Sequence, residues 1–238
     1  MIFRLNRRLQ FPLPHFADPD GLLAYGGDLS PERLLLAYSM GIFPWYNDDE
    51  PILWWSPDPR MVLYPDQLKI SKSMRQILRS HKFEVSFDTD FAAVMAQCRH
   101  TPRHDQADTW INDDMQAAYC QLHQLGYAHS VEVRNQQGNL VGGLYGVALG
   151  KCYFGESMFA HESNASKVGF ITLVQYLQQQ QYALIDCQVE TAHLASLGAT
   201  LVPRILFLQQ IGDALKQTTQ LGKWQIPPPP PKIYDTKP

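Results

Sequence analysis

The chain has 238 residues, of which 45% are hydrophobic and only 18% charged, and it carries a formal net charge of −3. This composition marks a folded globular protein, large enough for one sizeable domain or two small ones. No apolar run reaches the ~18 residues a membrane-spanning helix needs, and the mildly acidic balance argues against broad, nonspecific nucleic-acid binding.

The N-terminal stretch MIFRLNRRLQFPLP is basic, but Pro12 and Pro14 interrupt it and no continuous apolar segment follows, so it does not read as a secretory signal. The first 62 residues read as a small, turn-rich domain with one clear helix. Ser30 stands as N-cap, Pro31 fills the first helical position, Leu34 to Met40 form the body and Gly41 ends it. Around that helix, GLLAYGGD, GIFPWY and ILWWSPDPR combine Gly and Pro turns with Trp45, Trp54 and Trp55, which argues against one long regular element. A boundary is expected between Arg60 and Pro65, giving units 1–62 and 63–238.

The second unit opens on KISKSMRQILRSHK, which holds Lys69, Lys72, Arg75, Arg79 and Lys82 and no acidic residue. As a helix it places the last four cations at spacings of three, four and three on one face, with Ile70, Met74, Ile77 and Leu78 turned inward. Such a stripe is either a solvated face or a contact for a phosphate backbone. FEVSF, Phe83 to Phe87, reads as a strand, Phe91 to Arg99 as a helix capped by Asp88 or Asp90, and a further helix follows Asn112 and ends at Gly126. Ala128 to Arg134, Asn139 to Ala148 and Lys151 to Phe159, joined by short turns, predict an antiparallel meander. A long helix runs from Asn164 to about Gln181, and Ala183 to Val189 is apolar enough for a buried strand. Terminal helices follow, then the tail IPPPPPKIYDTKP, which favours an extended polyproline arm. This order of strands and helices predicts an α+β fold.

Chemistry-bearing residues concentrate in two of the strands. Alternation puts Cys152, Phe154, Glu156 and Met158 on one face, so a carboxylate sits among apolar neighbours and must be solvated, paired or functional. In LIDCQV, Asp186 and Gln188 share a face opposite Ile185, Cys187 and Val189. A structural ion pair and a catalytic role are both open for these polar residues. His193 is a candidate base, against the commoner packed or solvent-facing histidine. In RHTPRHDQAD, Pro102 spoils a helical His-x-x-x-His metal face between His100 and His104, and the segment reads as a polar loop. Cys98, Cys120, Cys152 and Cys187 are widely spaced and suit free thiols in a reducing cytoplasm. The tryptophans are ordinary core residues or stacking platforms for a base.

GLLAYGGDLSPERLLLAYSMGIFPWY, ILWWSPDPR, TWI, HSVEV, VGGLYGVALG, GESMF, NASK, LIDCQV and HLASLGA, in this order and spacing, closely resemble the bacterial leucyl/phenylalanyl-tRNA–protein transferase family. The likeness covers nearly the whole chain apart from the basic N-terminal run and the polyproline tail. It implies a small N-terminal domain followed by an acetyltransferase-like (GNAT-type) catalytic domain, in a cytoplasmic, monomeric protein with no membrane partner. The implied activity moves Leu, Phe and sometimes Met from aminoacyl-tRNA to proteins beginning with Arg or Lys, which tags them for degradation. By resemblance, Glu156, Asp186 and Gln188 form the catalytic polar centre and Trp45 and Trp110 flank the terminal adenosine. Leu144, Met158, Phe170, Leu173, Leu177 and Ile185 make the amino-acid pocket, and Lys69, Lys72, Arg75, Arg79 and Lys82 hold the tRNA. The family pattern carries Met at the position of Leu144, Phe at those of Leu173 and Leu177, and Leu at that of Phe170, so the wall stays apolar while its shape changes.

The implied reaction is attack by a protein α-amine on an aminoacyl ester, an activated bond, so neither a metal nor a redox cofactor is required. Gln188 is expected to hold the amine, with Asp186 orienting its amide or drawing off proton charge, and Glu156 to attract a cationic acceptor. Two rivals are an acetyl-CoA-dependent acetyltransferase, for which MFAHESNASKVG lacks the glycine-rich pyrophosphate loop, and a noncatalytic RNA-binding module, which leaves Asp186 and Gln188 idle.

Overall fold

The computed structural model describes residues 2–100 and 111–225, so Trp110, His104, Asp105 and the polyproline tail lie outside the described residues. The N-terminal part contains β1 (Phe3–Leu5), β2 (Leu22–Gly26), α1 (Pro31–Ser39), β3 (Phe43–Pro44) and β4 (Leu53–Trp55). Its strands form a four-stranded sheet in the order β1-β2-β4-β3. The turn-rich reading of this part with its one helix holds, but the sheet escaped it: at two to five residues each, the strands are too short for alternation to register. The helix starts at Pro31, and Gly41 follows with φ +69°, a conformation glycine adopts without strain. Ser30 occupies the N-cap position, but its hydroxyl turns to Asp28 instead of capping.

The remaining elements are β5 (Arg60–Leu63), α2 (Lys72–Arg79), β6 (Phe83–Phe87), α3 (Phe91–His100), α4 (Asp113–Gln124), β7 (Ala128–Asn135), β8 (Leu140–Leu149), β9 (Cys152–Ala160), α5 (Ala165–Gln179), β10 (Leu184–Gln188), α6 (Ala192–Ser196), β11 (Thr200–Val202) and α7 (Arg204–Ala214). Their strands form a seven-stranded sheet, β11-β5-β10-β9-β8-β7-β6. The expected meander is β7-β8-β9, and the fold is α+β. Every neighbouring pair in this sheet is antiparallel except β9 and β10. β5 lies across the expected domain boundary and pairs with β10 and β11.

Apolar clusters cover both faces of the large sheet. One joins Val94 and Met95 of α3, Met115, Tyr119 and Leu122 of α4, Trp54 and Phe154. The other joins Leu144, Phe170, Leu173, Leu177, Ile185 and Trp224. Complete burial of each large apolar side chain stabilises the fold by roughly 1.5–3 kcal/mol. Gly169 lets α5 lie close to the sheet, since a Cβ there would fall 2.8 Å from Val133 Cγ2.

Two irregularities break the strand alternation. Opposite β8, Tyr145 pairs with Ser157 and Gly146 with Gly155, leaving Glu156 as the extra residue of a bulge. On β10, Asp186 pairs with Val62 and Gln188 with Met61, so Cys187 is skipped and Gln188 takes φ +62°. The expectation that Phe154, Glu156 and Met158 share one face therefore fails, because the bulge moves the residues after it out of phase. Phe154 packs in the cluster of α3 and α4, whereas Met158 joins that of α5. Asp88, one of the two expected caps of α3, is instead buried and accepts from His129 Nδ1, Ser130 N and Trp224 N at 2.7–2.8 Å. Asp90 accepts from Ala93 N and serves as the cap.

Candidate active site

β9 and β10 pair in parallel from Leu184–Cys152 to Asp186–Phe154 and continue beyond that register without pairing. A cavity of about 680 Å³ opens where they part. Leu144, Met158, Phe170 and Ile185 give it an apolar wall, and Phe43, Pro44 and Trp45 of the N-terminal part close another side. Glu156, Asp186 and Gln188 border the same space. Leu173 and Leu177 are fully buried in the same apolar cluster and stand behind the wall rather than in it. Trp45 is held by its backbone, whose oxygen accepts from Trp55 Nε1 at 2.7 Å.

Asp186 is fully buried and fully engaged. Arg60 Nε and Nη2 donate to its two oxygens at 2.8 and 2.7 Å, and Gln188 N donates to Oδ1 at 2.9 Å. The guanidinium lies 4.7 Å from the centroid of Phe43 and 4.8 Å from that of Phe207, which adds cation–π attraction on two sides. A bidentate pair of this kind is geometrically stiff, so it fixes the backbone of Gln188 in its left-handed conformation. The Gln188 side-chain amide is oriented by Glu156, not by Asp186: Nε2 donates to Glu156 Oε1 at 2.9 Å. With the nitrogen so placed, the amide oxygen is the end left for a ligand.

Glu156 also contacts two tyrosine hydroxyls, Tyr38 on α1 at 2.8 Å and Tyr119 on α4 at 3.1 Å. Those hydroxyls are in close contact with each other as well. Burial lifts the Glu156 carboxyl to about 7, against the pull of the three donors, and the nearby Asp186 charge adds to the rise. Burial and the Glu156 charge hold both phenols well above their ordinary range. His193, on α6, borders the cavity too, and burial with the charge of Lys167 lowers its proton affinity.

The basic stripe is shorter than expected. Only Lys72, Arg75 and Arg79 lie on α2, which Ser71 caps by accepting from Met74 N at 3.2 Å, with Met74 turned into the core. Lys69 precedes the helix, and Lys82 follows it and pairs with Glu162 at 3.1 Å. All five cations are exposed. Among the described residues no three His, Cys, Asp or Glu side chains converge as a metal site would require.

Arg60, Tyr38 and Tyr119 were not singled out by the sequence. Arg60 carries a faint signal, a lone cation heading the apolar run MVLY. The two tyrosines occupy apolar helix faces where a hydroxyl looks incidental.

The profile described as leucyl/phenylalanyl-tRNA protein transferase matches residues 62–212, and that of its N-terminal domain matches residues 27–58. The leucyl/phenylalanyl-tRNA–protein transferase of Syntrophus aciditrophicus is 54% identical over 94% of this chain and 93% of its own. That of Pseudomonas putida is 58% identical over 84% of this chain and 88% of its own. Among solved structures, a GCN5-related N-acetyltransferase from Kribbella flavida aligns with a TM-score of 0.34 and 11% identity, over 73% of this chain and 61% of its own.

Proposed function

Because the chain belongs to the leucyl/phenylalanyl-tRNA–protein transferase family, we propose that the cavity between β9 and β10 holds the aminoacyl end of a charged tRNA. The protein is an aminoacyltransferase that carries an amino acid from tRNA to proteins. In our reading the donors are Leu, Phe and Met, the acceptors begin with Arg or Lys, and the product is marked for degradation in the cytoplasm, the enzyme acting as a monomer. Residues 1–62 form the smaller unit, which brings Trp45 to the adenosine, and residues 63–238 form an acetyltransferase-like catalytic unit. Lys69, Lys72, Arg75, Arg79 and Lys82 face the tRNA backbone.

One observation supports this reading above the others: an apolar wall and a polar centre share one cavity of about 680 Å³. Leu144, Met158, Phe170 and Ile185 suit an apolar side chain, with hydrophobic burial supplying the affinity. Gln188 offers its carbonyl oxygen to the attacking amine. An α-amine with a pKa of about 7.7–8.0 is partly neutral near pH 7, so positioning supplies much of the acceleration. Asp186 acts through Gln188 as a positioning residue, since Arg60 and the Gln188 backbone occupy its oxygens.

The test is to incubate the protein with leucyl-tRNA and an Arg-starting peptide, and in parallel with acetyl-CoA and the same peptide. Leucyl transfer without acetyl transfer supports the reading. Acetyl transfer alone, or tRNA binding without transfer, would replace it with one of the two rivals.

A further inference from the structure

Three oxygen-bearing groups close a ring at the cavity wall: the hydroxyls of Tyr38 and Tyr119 and the carboxyl of Glu156. Tyr38 lies 2.8 Å from Glu156 Oε1, Tyr119 lies 3.1 Å from Oε2, and the hydroxyls contact each other. Each oxygen–oxygen contact of this kind needs one proton between the partners. The two hydroxyls supply two protons and an ionised carboxylate supplies none. With Glu156 ionised, one of the three contacts therefore sets lone pairs against each other. With Glu156 protonated, Oε2 donates to Tyr119, Tyr119 donates to Tyr38, and Tyr38 donates to Oε1. Gln188 Nε2 donates to Oε1 in both states.

The phenols cannot take the missing charge, because burial and Glu156 keep both well above their ordinary range. Among the described residues, the charged groups near the ring are Asp186, whose field disfavours a second carboxylate, and Arg60, which Asp186 engages. The Tyr153 phenol on β9, held well above its ordinary range by burial, also feels the Glu156 charge. Tyr145 packs edge-on against Tyr119 from β8. The ring is thus one proton short on the wall of a cavity where, in the proposed aminoacyl transfer, an ammonium must lose a proton.

Resting on that reading, we infer that Glu156, held by the positioning residues Tyr38 and Tyr119, is the proton acceptor that frees the acceptor protein's α-amine. The α-ammonium and the carboxylate become amine and carboxylic acid. The amine nitrogen then bonds to the ester carbonyl carbon, the carbon–oxygen bond to the tRNA ribose breaks, and the second amine proton goes to the departing ribose oxygen. The proton on Glu156 returns to water as the product leaves.

Single-turnover transfer from leucyl-tRNA to an Arg-starting peptide, corrected for spontaneous ester hydrolysis, is measured between pH 6 and 9 on the full chain. Glu156→Gln should lose about tenfold or more near pH 6.5 and come within about twofold of the parent near pH 9, where the α-amine is neutral without help. A deficit equal at every pH overturns the inference. Infrared difference spectra provide a readout independent of turnover, the carboxylic-acid band of Glu156 being identified by its loss in Glu156→Gln, or in Glu156→Ala if that protein does not fold. Tyr119→Phe leaves one contact and one hydroxyl proton, so the band should titrate at lower pH by about one unit. An unchanged or upward shift, as expected of a tyrosine that only solvates a carboxylate, overturns the inference. If the parent protein transfers nothing at any pH, the proposed function fails, while the band still decides whether the ring takes up a proton.

Discussion

Replacing Arg60 by Met strands Asp186 as an unpaired charge. Arg60 and Asp186 are 1% and 0% exposed, so water cannot substitute for the lost partner. Removing one member of a buried ion pair costs roughly 3–5 kcal/mol, and loss of the guanidinium between Phe43 and Phe207 adds to that. Asp186→Leu should be destabilising on the same scale, because it strands the arginine. The double variant removes both charges, and replacing a buried pair by apolar residues of similar volume is often close to neutral. Its loss should therefore fall short of the sum of the single losses by about 2 kcal/mol or more. Turnover should not recover with stability, because Gln188 N–H still lacks the acceptor it has at 2.9 Å and the left-handed residue loses its tether. Asp186→Asn, which keeps an oxygen for that N–H, should retain more turnover than Asp186→Leu. Urea denaturation paired with leucyl transfer reads both quantities. Additive stability losses, or a double variant with full activity, would refute the reasoning.

The Glu156 carboxyl, raised from 4.5 to about 7, holds its proton more tightly folded than unfolded, so stability is fullest below pH 4.5 and falls as pH rises to 7. The loss is up to about 3 kcal/mol, so the urea midpoint of Glu156→Gln should gain on the parent between pH 5 and 8, and a constant difference would contradict the shift. Changing Lys72, Arg75 and Arg79 together to Gln should lower the slope of log tRNA affinity against log salt by about 0.7–0.9 for each phosphate no longer neutralised, with an unchanged slope assigning the stripe to solubility. Adding Lys82→Gln should change it less, because Glu162 already holds that ammonium. Leucyl-, methionyl- and phenylalanyl-tRNA should serve as donors within about 1–3 kcal/mol of one another. Valyl- and isoleucyl-tRNA should fail because a branch at Cβ crowds the reacting carbonyl, and their efficient transfer would refute the pocket assignment.

Long elements were legible in the sequence because periodicity needs length. The strand Phe83 to Phe87, the meander, the long helix after Asn164 and the strand around Asp186 all stand close to where pattern placed them. β1, β3, β4 and β11 hold two or three residues each and leave no pattern to read. The Lys69 to Lys82 stripe overreached for a different reason: spacing carries no stop signal, and the helix ends at Arg79. Strand periodicity placed Glu156, Asp186 and Gln188 on strands but could not bring the strands together. Arg60 meets Asp186 across 126 positions, and Tyr38 meets Glu156 across 118, so those partners exist only in the tertiary fold.

The bulges at Glu156 and Cys187 act as phase shifts in an otherwise regular ladder. Along β9 the side chains alternate between the two apolar clusters, and the alternation resumes with inverted parity after Glu156: Phe154 and Phe159 pack in the cluster of α3 and α4, Tyr153 and Met158 in that of α5. Deleting either extra residue would remove the offset: Gly155 and Ser157, or Asp186 and Gln188, would follow one another opposite the partners they already have, and the residues beyond would keep their faces. A length-preserving substitution at Glu156 changes one side chain and keeps the bulge, whereas a single deletion there removes carboxylate and bulge together while Met158 stays opposite Leu144.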